Sequence, residues 1–193
     1  MTERSVEGNG PDSSEPSRVT TPNEGVPHAG WNESAPIAAP LRLHETTVTH
    51  AWCDYNGHMS ESSYLLAVGD NADAFFRYFG IDEEYRAAGG SLYTAETHLH
   101  HTGEAYEGDH LTFTLQVLGV DAKRVHLVHE VHDQTTGSPV ATAEQMLLHV
   151  DMAAGRVSPL PGYLKARLDA IALAHASLPV PEYVGHVMGL PGR

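Results

Sequence analysis

The order of elements along the chain predicts an α+β domain, an antiparallel sheet wrapped around one long central helix. Two observations carry that expectation. Tyr64, Leu65, Val68, Ala72, Phe75, Phe76 and Phe79 recur at helical spacing, the buried face of one amphipathic helix. Four strand-like segments joined by short turns follow it. A lone helix ahead of an antiparallel meander can bury that face only against a sheet that curls over it. The length of 193 residues, 41% of them hydrophobic, suits one domain with appendages and a core that needs no disulfides.

Taken in order, residues 1–40 are rich in Gly, Pro, Ser, Asn and Glu and almost free of aliphatic side chains. Such a segment buries too little to offset its ordering entropy and reads as a disordered tail. The folded domain is expected over 41–159, with a C-terminal helix and tail over 160–193. Leu41–Trp52 reads as a strand on the strength of Thr46, Thr47, Val48 and Thr49. Asp54-Tyr55-Asn56-Gly57 is turn chemistry, Ser60 is the N-cap of the long helix with Glu61 in its first turn, and Gly80 stops it. A short acidic turn or helix over Asp82–Ala88 closes at Gly89-Gly90. Strands are expected at Ser91–His101, His110–Val120, Arg124–Asp133 and Ser138–Asp151; in the second of these Leu111, Phe113, Leu115 and Val117 alternate with Thr112, Thr114 and Gln116. A second helix spans Tyr163–Ala176, and Pro179 and Pro181 open a loose tail.

Charge narrows the partners. There are 25 acidic and 11 basic side chains, a formal charge of -14. Residues 1–40 hold six acids and two bases, or -4, so the remaining -10 belongs to residues 41–193. That balance disfavours nucleic acid and anionic membrane, which need clustered Lys and Arg. No apolar run approaches the ~20 residues of a membrane span, and the polar N-terminus is no secretory signal. The single cysteine, Cys53, forms no intramolecular disulfide and fits a reducing, cytoplasmic setting, where it reads as an inert small side chain.

The stretch Trp52-Cys53-Asp54-Tyr55-Asn56-Gly57-His58-Met59-Ser60 concentrates the chemistry. A carboxylate just before a helix N-terminus has a use: the free N–H groups of the first turn polarise a carbonyl while the carboxylate attacks it or activates water. The plainer reading is a turn in which Asp54 and Asn56 bond their own backbone, and residue types alone leave both open.

Asp54-Tyr55-Asn56-Gly57-His58-Met59, followed by Tyr64-Leu65, resembles the signature of hotdog-fold acyl-CoA thioesterases of the 4-hydroxybenzoyl-CoA thioesterase type. The resemblance covers about 41–151 and implies that same strand, central helix and wrapping sheet. Ser60-Glu61 stand where that family usually has two Asn. Gly90-Ser91, Glu96-Thr97-His98 and Glu144–Asp151 add a resemblance to one branch, the thioesterases of bacterial carnitine catabolism, found alone or fused behind a carnitine dehydrogenase. That branch implies hydrolysis of betainyl-CoA to glycine betaine and CoA, with no cofactor, in a homodimer or higher homo-oligomer whose sites combine both chains.

By that resemblance Asp54 is the catalytic carboxylate, as nucleophile or general base, and His58 orients it or touches substrate. Asn56, Gly57, Met59 and Ser60 complete the turn beside the substrate, with the oxyanion against N–H groups near Ser60–Ser62. Glu96, in mid-strand, either faces the site or lies on the solvent side of the sheet. A trimethylammonium group calls for aromatic faces and negative potential, and Trp52, Tyr55 and Tyr93 are candidates by their nearness in sequence to Asp54 or Glu96. Lys123-Arg124, the only adjacent basic pair, is the candidate for the CoA phosphates or else a solvated turn.

The histidines, 14 in all, raise the question of metal. His98-x-His100 with Glu104 resembles the first cupin metal motif, but the following glycine and the second motif are missing. His126, His129 and His132 alternate between faces of one strand. No metal site is expected, and the histidines read as lying on a solvated sheet face. A hydratase motif, Asp-x-Asn-Pro-x-His, is one residue longer than Asp54–His58 and carries a proline that is absent here. Other small acyl-CoA substrates and a non-catalytic acyl-CoA-binding module stay open.

Overall fold

The computed structural model describes residues 21–190. Along the chain come β1 (Glu45–Thr47), a 3-10 turn (His50–Trp52), α1 (Glu61–Phe79), α2 (Glu83–Ala87), β2 (Gly90–His101), β3 (His110–Val120), β4 (Arg124–Asp133), β5 (Pro139–Asp151), β6 (Arg156–Val157) and α3 (Gly162–His175). The strands form one antiparallel sheet in the order β1-β3-β4-β5-β2, with β6 on the end of β5. It curls around α1, as the sequence predicts. The first strand is shorter than expected. After Thr47 the chain leaves the sheet, because Trp52 and Cys53 donate back to the carbonyls of Thr49 and His50 and close a turn.

The core beneath the sheet has two parts. Phe75, Phe79 and Ile81 pack with Leu115, Val117, Leu127 and Leu147 and with Leu164, Leu168 and Ile171 of α3. Nearer the start of α1, Tyr64, Ala67 and Val68 pack with Met59, Leu111, Phe113, Val131 and Ala143. A polar seam separates them. Asn71 Nδ2 donates to His129 Nδ1 at 2.8 Å, His129 Nε2 meets Gln145 Oε1 at 3.1 Å, and Gln145 Nε2 donates to Thr97 Oγ1 at 3.3 Å. Burial pushes the His129 imidazole down to about 4, so it is neutral, each nitrogen filling one role in the seam. The expectation of solvated histidines therefore fails at His129, His149 and His175, which are buried. His175 serves as structure: its Nδ1 accepts from Val117 N and its Nε2 meets Ala38 O.

Of the segment expected to be a disordered tail, residues 1–20 lie outside the described residues. Residues 21–40 lie against the domain. Thr21 donates to Asp73, Asn23 to the carbonyl of Asp70 and Gly25 N to Glu83, while Glu24 pairs with Arg77 and Arg86. Trp31 meets Tyr78 edge-on, and Ile37 packs on the core. The C-terminal tail is also held: Tyr183 stacks on His100 at 3.6 Å, and Gly185 N donates to Glu144. Among the described residues no helix is long and apolar enough to cross a membrane.

Candidate active site

The Asp54 turn is built by its own backbone. Asp54 N donates to His58 O and Gly57 N to Asp54 O, both at 3.0 Å. Gly57 sits at φ 85°, a conformation that side chains with a Cβ rarely adopt. Met59, 2% exposed, anchors the turn in the core and donates its N–H to Ala105 O at 2.7 Å. The Asp54 carboxylate accepts from Asn56 N at 2.8 Å and Asn56 Nδ2 at 3.3 Å. This is the self-bonded turn, and it also fixes the carboxylate's direction. Asp54, His58, Met59, Glu61, Tyr64, His101, Gly103 and Glu104 line one cavity of about 450 Å³.

Beside that cavity α1 begins without a side-chain cap. Ser60 holds the N-cap position but makes no cap bond; its hydroxyl meets those of Ser62 and Ser63 instead. The N–H groups of Glu61 and Ser62 have no carbonyl to pair with inside the helix. A carboxylate and a set of free donors thus flank the same space, the combination that stabilises a developing oxyanion while water or the carboxylate attacks.

The lining carries Asp54, Glu61 and Glu104 and no Lys or Arg. Tyr106 Oη donates to Glu104 Oε2 at 2.6 Å and holds it. Tyr64, 3% exposed, turns its ring edge-on to His101 at 4.9 Å. Burial pushes the Tyr64 phenol above its ordinary value, with the charges of Glu104 and Asp109 adding to the rise against an opposing hydrogen bond from the Ala105 backbone.

Of the residues singled out from sequence, the cavity brings together Asp54, His58 and Met59, with Asn56, Gly57 and Ser60 on the turn around them. Trp52 packs against the apolar core. Tyr55 is 96% exposed. Tyr93 and Glu96 lie on the outer face of β2, since they pair with Leu148 and Met146 across a register shift at Ala95, opposite to the inward Leu147 and Gln145. Glu96 accepts from or pairs with His98 at 2.8 Å and lines a separate cavity with His126 and Glu144. Lys123 and Arg124 sit at the other end of the sheet: the His101 end of β2 pairs with Ala141, whereas Arg124 pairs with Leu148, roughly 24 Å of strand away. Arg124 is ion-paired with Asp121.

Sequence reasoning passed over Glu61, Tyr64, His101 and Glu104 as residues of this cavity. Glu61 and Tyr64 were legible as the first turn and the next turn of the helix that Asp54 precedes; His101 and Glu104 arrive through β2 and its following loop. Among the described residues no group of three or more His, Cys, Asp or Glu is placed to hold a metal ion. In the cupin-like triplet, His98 and His100 lie on the outer face of β2 while Glu104 lines the Asp54 cavity. Cys53 is a free thiol facing Thr49 O at 3.7 Å.

Comparison with known proteins gives the family. The family described as the thioesterase-like superfamily matches residues 48–168. The chain is 43% identical over 152 residues to a betainyl-CoA thioesterase of Pseudomonas aeruginosa, covering 78% of this chain and 96% of that protein. It is 47% identical over 158 residues to an L-carnitine dehydrogenase/betainyl-CoA thioesterase of Rhizobium meliloti, covering 82% of this chain and 32% of that protein. The chain therefore spans about a third of the fused relative's length. A Staphylococcus aureus protein solved in complex with CoA shares the fold, with a TM-score of 0.74 at 24% identity over 81% of this chain and all of that one. By the family match and the fold, the chain belongs to the thioesterase-like superfamily, with the hotdog fold.

Proposed function

We propose that this protein is an acyl-CoA thioesterase that hydrolyses betainyl-CoA to glycine betaine and CoA, in carnitine catabolism and in the cytoplasm. The observation that carries the reading is Asp54, held by Asn56 at a cavity that the uncapped start of α1 also borders. The thioester carbonyl oxygen meets the free N–H groups of Glu61 and Ser62. Along one route Asp54 takes the proton of a water whose oxygen bonds to the carbonyl carbon. Along the other the Asp54 carboxylate bonds to that carbon itself, and water later opens the mixed anhydride. In both the C–S bond breaks, CoA leaves as thiolate and takes up a proton, and the acid is released. His58, on the same lining, contacts substrate or orients Asp54. The names of the relatives support the acyl group.

The working unit is a homodimer. β2 pairs with β5 along one edge, and Tyr93, Thr94, Ala95 and Glu96 are exposed; an open strand of this length invites pairing with a second copy. Antiparallel pairing of two β2 strands brings the Tyr93 end of one towards the His101 end of the other. That would carry the partner's Lys123-Arg124 turn towards the Asp54 end of the sheet, while Tyr93 and Glu96 stay on the outer face. Mixed dimers of Asp54→Asn and Lys123→Ala chains test this, since activity regained on mixing two impaired variants requires a shared site.

The reaction is tested by thiol release from a panel of acyl-CoAs, wild type beside Asp54→Asn. Release of CoA from betainyl-CoA that Asp54→Asn abolishes supports the reading. No release from any acyl-CoA would leave a binding module or hydratase, and release untouched by Asp54→Asn would remove the mechanism.

A further inference from the structure

The Asp54 cavity holds a feature that hydrolysis alone does not require. CoA is a polyanion and the product of any thioester hydrolysis is a carboxylate. Yet the reacting end is lined by Asp54, Glu61 and Glu104, with no Lys or Arg among the lining residues. For a neutral acyl group the two additional carboxylates would repel both substrate and product. For an acyl group with a fixed positive charge they offset that repulsion.

Their surroundings suit a quaternary ammonium in particular, which donates no conventional hydrogen bond and is held by charge and ring faces. The Tyr64 ring is buried, 3% exposed, and borders the cavity beside His101, 4.9 Å away at 76°. Met59 supplies an apolar floor. Glu104 is exposed at the cavity mouth, where Tyr106 Oη donates to its carboxylate at 2.6 Å and orients it. The cage expected from sequence is not assembled within one chain, since Trp52 packs half-buried against the core and Tyr93 and Glu96 face outward.

We propose that Glu104 and Glu61, with the rings of Tyr64 and His101, recognise the cationic head of the acyl group and set a preference for a quaternary ammonium acyl-CoA over its neutral isostere. This rests on the thioesterase reading of the same cavity. Glu61 also lies in the first turn of α1, where it complements the helix dipole, so Glu104 is the cleaner probe of the two.

The test compares betainyl-CoA with 3,3-dimethylbutyryl-CoA, in which carbon replaces the nitrogen and only the charge differs. Wild type is expected to favour the cation in kcat/KM. Glu104→Gln and Glu61→Gln each lower that ratio about tenfold, the order expected of one partly screened charge near the ligand. Glu107→Gln serves as the charge control: Glu107 is on the same loop but pairs with His50, outside the cavity lining, so the ratio holds. A second arm measures binding of glycine betaine and 3,3-dimethylbutyrate by calorimetry. Equal ratios in wild type and both cavity variants, or an equal fall in Glu107→Gln, overturn the proposal. Betaine binding that depends on Glu104 without thiol release from either thioester would keep the recognition site and remove the thioesterase reading. Neither binding nor release would remove both.

Discussion

The two halves of α1 are built to opposite rules. At its start the helix is open: Ser60 makes no cap bond, Glu61, Ser62, Leu65 and Leu66 are exposed, and a cavity adjoins the first turn. At its end the helix is locked. Arg77, 1% exposed, bonds Asp73 through Nε at 2.9 Å and pairs with Glu83 and Glu24, while Arg86 pairs with Asp73 and Glu24 from the side. Phe75, Phe79 and Gly80 complete the closure, Gly80 as a left-handed C-cap. One end borders the cavity with an uncapped first turn, and the other ties its buried arginine to three carboxylates. The two ends divide the work: the first turn borders the candidate site, and the last turn ties α1 to α2 and to residues 21–27.

Mutations at the two ends should therefore separate activity from stability. The largest effect belongs to the open end. Asp54→Asn is expected to lower kcat about a thousandfold while leaving the urea midpoint close to wild type, because the bond from Asn56 N is kept by the amide oxygen. Parallel activity and unfolding measurements check this. A matching loss of stability would mean that Asp54 is chiefly structural.

Next comes the locked end. Arg77→Met removes the cation at the centre of Asp73, Glu83 and Glu24 and is expected to cost about 3 kcal/mol in urea unfolding, the order seen when one member of a buried pair is lost. Glu83 is held down to about 2 by the Gly25 N–H and by Arg77, so the same change should loosen residues 21–27 from α2. Faster proteolysis near that segment, with kcat unchanged in the molecules still folded, is the expected signature.

This contrast also shows how much was legible in the sequence. The limits of α1 were, since Ser60 and Gly80 are local signals that bracket a helical run of aromatics. So were β3 and β4, whose bounds match the expectation to the residue because short polar turns bracket them. The attachment of residues 21–40 was not, because Thr21 meets Asp73 and Glu24 meets Arg77 about fifty positions away, and composition carries no information at that range. At the site, Asp54 and His58 were legible through their turn. The side of the sheet taken by Tyr93 and Glu96 was not, because one extra residue at Ala95 reverses the alternation on which such a reading depends.

A smaller effect lies between the two halves, at Asp70. Its side chain is 7% exposed, and burial, with Asp73 adding like charge, pushes its carboxyl up from the ordinary aspartate range to about 6. A folded-state pKa above the unfolded one means that stability is fully present below about pH 4 and is lost as pH rises through 6. Asp70→Asn should therefore be more stable than wild type by about 2 kcal/mol at pH 7, with the gap closing near pH 4. His129 acts oppositely, since its pKa of about 4 lies below 6.5; its contribution is present above 6.5 and falls away towards 4. Taking the difference between variant and wild type at each pH cancels that term. A gap that does not vary with pH would mean that Asp70 is not titrating in the folded protein.

The smallest effect is the most specific test of an open helix start. Two caps stand 22 positions apart in this chain and differ in one respect. Asp82 Oδ1 accepts from Tyr85 N at 2.9 Å at the head of α2, whereas the Ser60 side chain makes no such bond to a backbone N–H of α1. Removing a working cap costs about 1 kcal/mol, so Asp82→Ala should show that loss even though α2 is short. Ser60→Ala should cost under ~0.5 kcal/mol, because only its contacts with the Ser62 and Ser63 hydroxyls are lost. A full cap penalty at Ser60 would mean that its oxygen satisfies the first-turn N–H groups in solution. Those donors would then be closed to a thioester carbonyl, and α1 would be locked at both ends.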